Sequence, residues 1–274
     1  MKRIKPSTIE EAKQLRDMLP EIKEKLEKCP DEDIDYNLYQ YKLDYSDLPS
    51  KGKAYPENGK ISYSSLSYGE VKYLSNSDLT EYEFYKFFFD KKIKTTFDKK
   101  LLTFFDFIFI VFIIRLSVFG DNEITMKYTC EKCGKENKNT IKLSELEFFD
   151  INVDLPIKFE LNDEILEFYP LTIGDYLFLE KSSFKDDEDA KMALMMKNKT
   201  FNEAYKIIKE KMSGQLVNAL ETIDTILYHG VKNLKFTCKE CGFLAEFPFY
   251  DIYGHVVLQD TIKRFIRDRI HITI

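Results

Sequence analysis

The chain has 274 residues, of which 44% are hydrophobic and 15% aromatic, with 32% charged residues and a net charge of −6. That is ample material for a globular chain of one large or two closely packed domains. The acidic balance excludes a whole-molecule attraction for phosphate backbones or anionic lipid, so a nucleic-acid role would need a local basic patch.

The opening "MKRIKPSTIEEAK" lacks an apolar core of the signal-peptide kind, so the expectation is a chain kept in a reducing cytoplasm or in a particle assembled there. Ser7 and Thr8 followed by Glu10 and Glu11 form a capping pattern. Ile9, Ala12, Leu15, Leu19, Ile22 and Leu26 then recur at helical spacing, which predicts an N-terminal helix that Pro20 kinks or divides and Pro30 ends. From Asp31 to about Leu74 the chain turns polar and tyrosine-rich, punctuated by Pro49, Gly52, Pro56, Gly59 and Gly69. It is expected to form an extended arm with short strands at "KISYSSLSY", lying on a neighbour or looping over its own domain. Residues 1–74 thus form a first region, and 75–274 a core domain.

"SNSDLTEYEFYKFFFDKK" signals a helix with Ser77 as N-cap and Glu81 in its first turn. After a break at "KTTFD" comes the most apolar stretch of the chain, 101–120. Only the eight residues Phe107 to Ile114, between Asp106 and Arg115, are uninterrupted. A membrane span needs about 20 consecutive apolar residues, so a buried core helix over 101–119 is expected, with no stable membrane insertion. Asp106 and Arg115 fall on opposite faces of that helix, each requiring its own partner.

A first Cys hairpin is predicted over 124–143, with alternating arms "EITMKYTC" and "NTIKLSEL". "PIKFELNDEILEFYP" follows as a second hairpin turning at Asn162 and Asp163. A helix then starts at Thr172, with Asp175 three residues on. Three more are expected at roughly 185–197, 201–212 (capped by Thr200 with Glu203) and 214–229 (ended by Gly230), which makes 171–230 a helical insertion. Met192, Met195 and Met196 are core filler on these helices. A second Cys hairpin occupies 231–250, and a C-terminal helix with a strand-like tail completes the chain. Strands bracketing a helical insertion make the fold class α+β: central zinc-ribbon-like β-hairpins with a helical insertion, plus the N-terminal helix and arm.

The chemistry concentrates in "MKYTCEKCG", ending at Gly134, and "LKFTCKECG", ending at Gly242. Cys130, Cys133, Cys238 and Cys241 make two Cys-x-x-Cys-Gly units, each preceded by Thr and by an aromatic residue, Tyr128 or Phe236. Two residues between thiolates let both sulfurs point into one tight turn, and the Gly lets the backbone bend past them. Two such turns supply the four thiolates of a tetrahedral structural Zn²⁺ with Zn–S near ~2.3 Å, and leave no open position for water or substrate. The pairs are separated by more than a hundred residues, where a simple ribbon has about 15 to 20 between them. Three alternatives compete: redox dithiols, which lack a βαβ context; disulfides, which the cytoplasmic reading disfavours; and pairs that share ions with another chain. Cys29 stands alone.

Catalytic patterns are missing from the sequence. His229, His255 and His271 have neither ligand nor triad spacing, and there is no phosphate loop or nucleophile elbow. The turn tips carry Glu131, Lys132, Lys135, Glu136, Lys138, Lys239 and Glu240, a nearly balanced set. The cluster of Lys263, Arg264, Arg267 and Arg269 is offset by Asp260 and Asp268 and reads as a solvated helix face, which disfavours nucleic acid as a partner.

The order of "LLTFFDFIFIVFIIRLSVFGDNEITMKYTCEKCGKENKNTIKLSEL" and "EILEFYPLTIGDYLFLE" resembles the baseplate hub (baseplate assembly) family of T-even-like contractile-tailed bacteriophages, over about Ser77 to Leu179. Phe105, Asp106 and Arg115 match that family's helix, and Cys130 and Cys133 its knuckle. The N-terminal arm and the helical insertion exceed its compact members. The resemblance implies a non-enzymatic virion protein of the tail baseplate, assembled in the host cytoplasm. It would dock other baseplate and tail proteins in a hetero-oligomer and act on no small-molecule substrate. The competing expectation from the cysteines is a zinc-ribbon nucleic-acid-binding or transcription accessory protein.

Overall fold

The computed structural model describes residues 40–74, 79–119, 123–161, 163–210 and 214–247. The expected N-terminal and C-terminal helices, Cys29, Ser77, His255, His271 and the basic cluster from Lys263 to Arg269 lie outside the described residues.

Strand β1 (Gln40–Leu43) pairs antiparallel with β2 (Ile61–Ser64), and β2 pairs on its other edge with β3 (Ile93–Thr95). The period of two in β2 turns Ile61 and Tyr63 inward and leaves Ser62 and Ser64 half-buried. Residues 40–74 are therefore not an extended arm, although a strand does form within the expected "KISYSSLSY". They place Leu48, Tyr55, Ile61, Tyr63, Leu66, Val71 and Leu74 in the main core. The physical reason is that the Pro and Gly residues make tight turns, with Lys51 and Gly52 at φ 54° and 73°. These fold the aromatic and aliphatic residues back on the domain and remove them from water.

Helices α1 (Tyr68–Leu74) and α2 (Glu81–Lys91) follow. The cap of α2 is Thr80 with Glu83, each side chain bonded to the other's backbone N–H, so the helix starts downstream of the Ser77 cap read from sequence. Helix α3 (Phe104–Phe119) is the apolar segment. Phe107, Ile110, Val111 and Ile114 are wholly buried, and Arg115 nearly so. A helix apolar all round must be enclosed. Here α2 supplies Phe84, Tyr85 and Phe88 to the same core, and later elements add Ile173 and Val231. No helix among the described residues is long and apolar enough to cross a membrane.

Strand β4 (Glu123–Thr129) pairs with β5 (Glu136–Lys142) in register Tyr128 to Asn137. Strands β6 (Ile157–Leu161) and β7 (Glu164–Phe168) form the next hairpin, turning at Asp163 with φ 64°. Helix α4 (Ile173–Lys181) opens with the expected Thr172–Asp175 capping box and is hydrogen-bonded to the start of α3 through Ile173 N–H to the Leu102 carbonyl. Helices α5 (Glu188–Met195), α6 (Phe201–Glu210) and α7 (Gly214–Leu227) come next, α6 with the expected Thr200–Glu203 cap.

The insertion differs in membership from the reading of 171–230. Its core joins α5, α6 and α7 to the β6–β7 hairpin through Leu166, Phe168, Met195, Met196, Ile208 and Leu216, while α4 buries Ile173 in the main core. A two-stranded hairpin cannot bury its own apolar face, so it recruits the helices that follow it. Met195 and Met196 are core residues as expected. Strands β8 (Leu234–Thr237) and β9 (Leu244–Phe247) pair as the second Cys hairpin, and the whole is α+β with small antiparallel sheets.

Candidate metal centre

Each Cys turn is built by its own backbone. In the first, Cys130 N–H donates to the Lys135 carbonyl at 2.9 Å and Gly134 N–H to the Cys130 carbonyl at 2.8 Å. In the second, Cys238 N–H donates to the Phe243 carbonyl at 2.8 Å and Gly242 N–H to the Cys238 carbonyl at 3.0 Å. Gly134 and Gly242 sit at φ 68° and 71° with open space where a Cβ would stand. Backbone conformation is thus the whole reason for glycine there. The aromatic residues that precede the turns form a small core between the hairpins: Tyr128 stacks on Phe236 with ring centroids 6.0 Å apart, and Phe247 packs against both.

The four cysteines read from sequence meet. All four Sγ atoms lie within 4.8 Å of one another, with Cys130 to Cys241 and Cys133 to Cys238 each at 3.7 Å. These separations far exceed the S–S bond of about 2.05 Å, so the cysteines are free thiols and not disulfides. Both pairs come from one chain, which supplies a complete set without a second copy. Cys130 and Cys238 are buried, Cys241 is half-buried and Cys133 is exposed.

Electrostatics pull two of the four thiols, Cys238 and Cys133, in opposite directions. Cys238 is drawn down to about 6, chiefly by the backbone N–H of Cys241 and, against the cost of burial, by Glu240 N–H and the Asn137 amide. At Cys133 the Lys135 N–H favours the thiolate, but desolvation beside the other sulfurs and the hydrogen bonds with Cys241, Cys130 and Cys238 outweigh it and push the thiol up to about 12. Four thiolates so close repel one another, and a cation among them removes the conflict by letting all four ionise. The donor set, four soft sulfurs at tetrahedral-like spacing, fits a thiophilic metal ion. These observations make the cluster compatible with a metal site.

Sequence reading missed one neighbour of these sulfurs, Asn137, which is only 5% exposed. Its signal is comparative: the two nine-residue stretches align, and seven residues beyond Cys130 stands Asn137 where the second copy has Ala245.

The other conspicuous polar residues form a separate, sealed cluster at the start of α3. Asp106 is wholly buried and accepts from the Ser50 N–H at 2.9 Å, from the Ser50 hydroxyl, and from the Tyr55 hydroxyl at 2.5 Å. Tyr55 in turn accepts the Thr103 N–H at 2.9 Å. His229 Nδ1 lies 2.8 Å from the Leu227 carbonyl and must donate to it, so neutral Nε2 accepts from the Thr103 hydroxyl at 2.7 Å. Burial holds the His229 pKa below its ordinary value, with Asp106, 4.0 Å away, opposing. His229 is thus no member of the sulfur cluster, in keeping with its lack of ligand spacing. The network joins three distant segments with every contact facing inward.

A cavity of about 400 Å³ adjoins this region, lined by Ala54, Leu101, Thr103, Tyr169 and Pro170 among others. Several of its polar groups are committed elsewhere: Lys197 to Asp175 at 2.5 Å, the Thr172 hydroxyl to Asp175 at 2.7 Å, and Asn198 to Glu167 N–H and the Ile165 carbonyl. A scan of protein-family models, a search of curated proteins and a search of solved structures give no match for the chain.

Proposed function

We propose that this chain is a non-enzymatic structural or assembly protein of a contractile phage tail baseplate, docking other tail subunits in a hetero-oligomer. One structural zinc ion held by Cys130, Cys133, Cys238 and Cys241 would stabilise it. The observation that carries the reading is the convergence of four cysteine sulfurs within 4.8 Å, joined by no His, Asp or Glu among the described residues. Four thiolates fill a tetrahedral sphere and leave no position for substrate or water, which suits cohesion and not chemistry. A tetrahedron with Zn–S of about 2.3 Å places its sulfurs about 3.8 Å apart, close to the 3.7 Å seen for two of the pairs.

The resemblance supplies the baseplate. Of the residues that carry it, Phe105, Asp106, Arg115, Cys130 and Cys133, the two charged ones on α3 are both buried, which suits a role in holding a shape. Among the described residues, the Asp106 cluster is sealed, and Lys197, Thr172 and Asn198 on the cavity are already bonded. The turn tips remain mixed in sign, which favours protein partners over a phosphate backbone.

Elemental analysis of the native protein is expected to find one zinc ion per chain, and the chain is expected to co-sediment with tail particles or to bind tail proteins from the same lysate. Absence of any bound metal removes the zinc. Failure to associate with tail proteins at any stage of assembly removes the baseplate. Salt-sensitive DNA or RNA binding at low salt, abolished by charge reversal at Lys263, Arg264 and Arg267, would put the nucleic-acid reading in its place.

A further inference from the structure

The two Cys turns are nearly alike in sequence and in backbone bonding, yet Asn137 reaches from the first turn to the second with no counterpart at the aligned position of the second. Asn137 lies on β5, opposite Tyr128. Its amide nitrogen is 3.0 Å from the Lys135 carbonyl in its own turn and 3.4 Å from Cys238 Sγ in the other, and its amide oxygen accepts the Lys239 N–H at 3.1 Å. The amide orientation is forced, since a backbone N–H can meet only the oxygen end and a carbonyl only the nitrogen end. Both N–H groups and the carbonyl are therefore used. The aligned position in the second turn is Ala245, whose methyl cannot make any of these bonds.

We propose that Asn137 is a positioning residue of the metal centre. It clamps the second Cys turn to the first before an ion arrives, and it donates to Cys238 Sγ so that this one of the four sulfurs is held at its vertex. This rests on reading the four cysteines as a metal site. The physical reason is that the two turns are separated by more than a hundred residues, so nothing local sets their relative position. An N–H bonded to a thiolate ligand both aims it and withdraws charge from it, as groups behind metal ligands commonly do. A hydroxyl has a single O–H donor, whereas the planar amide offers one acceptor and two donors and so makes all three of these bonds together.

The test uses the whole chain loaded with ¹¹³Cd²⁺, Co²⁺ or Zn²⁺. In the cadmium form, the Asn137 side-chain amide proton is expected to show scalar coupling to the metal across the N–H···Sγ bond. Asn137→Asp keeps the acceptor for Lys239 but removes the donor, and Asn137→Leu removes both. In chelator competition both are expected to bind zinc about 10- to 100-fold more weakly than the unsubstituted chain. A merely structural role would lower the melting temperature of metal-free and metal-loaded protein alike and leave that ratio unchanged. Unsubstituted protein that takes up none of the three ions would overturn the metal reading itself. Protein that binds normally but shows no cadmium coupling, with Asn137→Asp binding as tightly as the original, overturns the role of Asn137 alone. Should a variant fail to fold, the coupling in the unsubstituted chain decides.

Discussion

The main core and the paired Cys hairpins solve the same problem with different materials. Around α3, Phe84, Phe88, Phe107, Ile110 and Ile114 are buried almost completely, and the apolar area removed from water holds the region together without help. Among the residues of the Cys hairpins whose burial is described, few are buried: Cys130, Asn137, Phe236, Cys238 and Ala245. Two hairpins of that size are marginal in water by themselves. On the proposed reading, a metal ion among the four sulfurs would add to the small Tyr128–Phe236–Phe247 core of the second region, whereas the first would persist without it.

Removing the ligands should separate the two regions most clearly. Cys238→Ser, or chelation of the native protein, is expected to abolish metal binding and strip amide hydrogen-exchange protection from β4, β5, β8 and β9 while α3 stays protected. The scale is set by the about 10 kcal/mol or more that metal contributes in small zinc modules. Loss of protection across both regions together would show that they are one cooperative unit. The reciprocal experiment is Phe107→Ala, which should destabilise the main core by about 3 to 5 kcal/mol in denaturant melts while metal stoichiometry stays unchanged.

Somewhat smaller is Asp106→Ala. It strands the Ser50 and Tyr55 donors in a sealed interior, at about 3 kcal/mol from the usual cost of buried unsatisfied groups, again without effect on the metal. His229 gives a milder, pH-dependent version. Its folded pKa lies below 6.5 because burial disfavours the charged ring, so the unfolded chain binds the proton more readily. Its contribution is therefore complete above the unfolded pKa and is lost as pH falls from about 6.5 toward the lower folded value. Thermal melts at about pH 7.5 and about pH 5.5 should show a larger loss for the original chain than for His229→Gln, and equal losses would refute the assignment. The smallest expected effect is at the surface pair Lys86–Asp90. Removing it should change stability by about 0.3 to 0.5 kcal/mol, and salt should erase even that.

Features that close over a few residues are legible in the chain itself. The Thr172–Asp175 and Thr200–Glu203 caps, the enclosed helix over 104–119, and the two Cys-x-x-Cys-Gly turns each depend on hydrogen bonds or sterics within one or two turns of chain, so local residues determine them. What needed the tertiary structure is everything decided by competition between distant surfaces. Residues 40–74 read as an arm because their Pro, Gly and Tyr content has no period, yet packing against α3 outweighs the lack of local preference. The partners of Asp106 come from the loop after β1, more than fifty positions away, and the β6–β7 hairpin shares its core with α5 to α7 while Ile173 of α4 joins the main core. The amino-acid order specifies four thiolates in two turns of a kind that bind metal. Only the fold could decide that they share one place, with Asn137 reaching across from one turn to the other, because no local interaction spans a hundred residues and only the packed core between them brings their ends together.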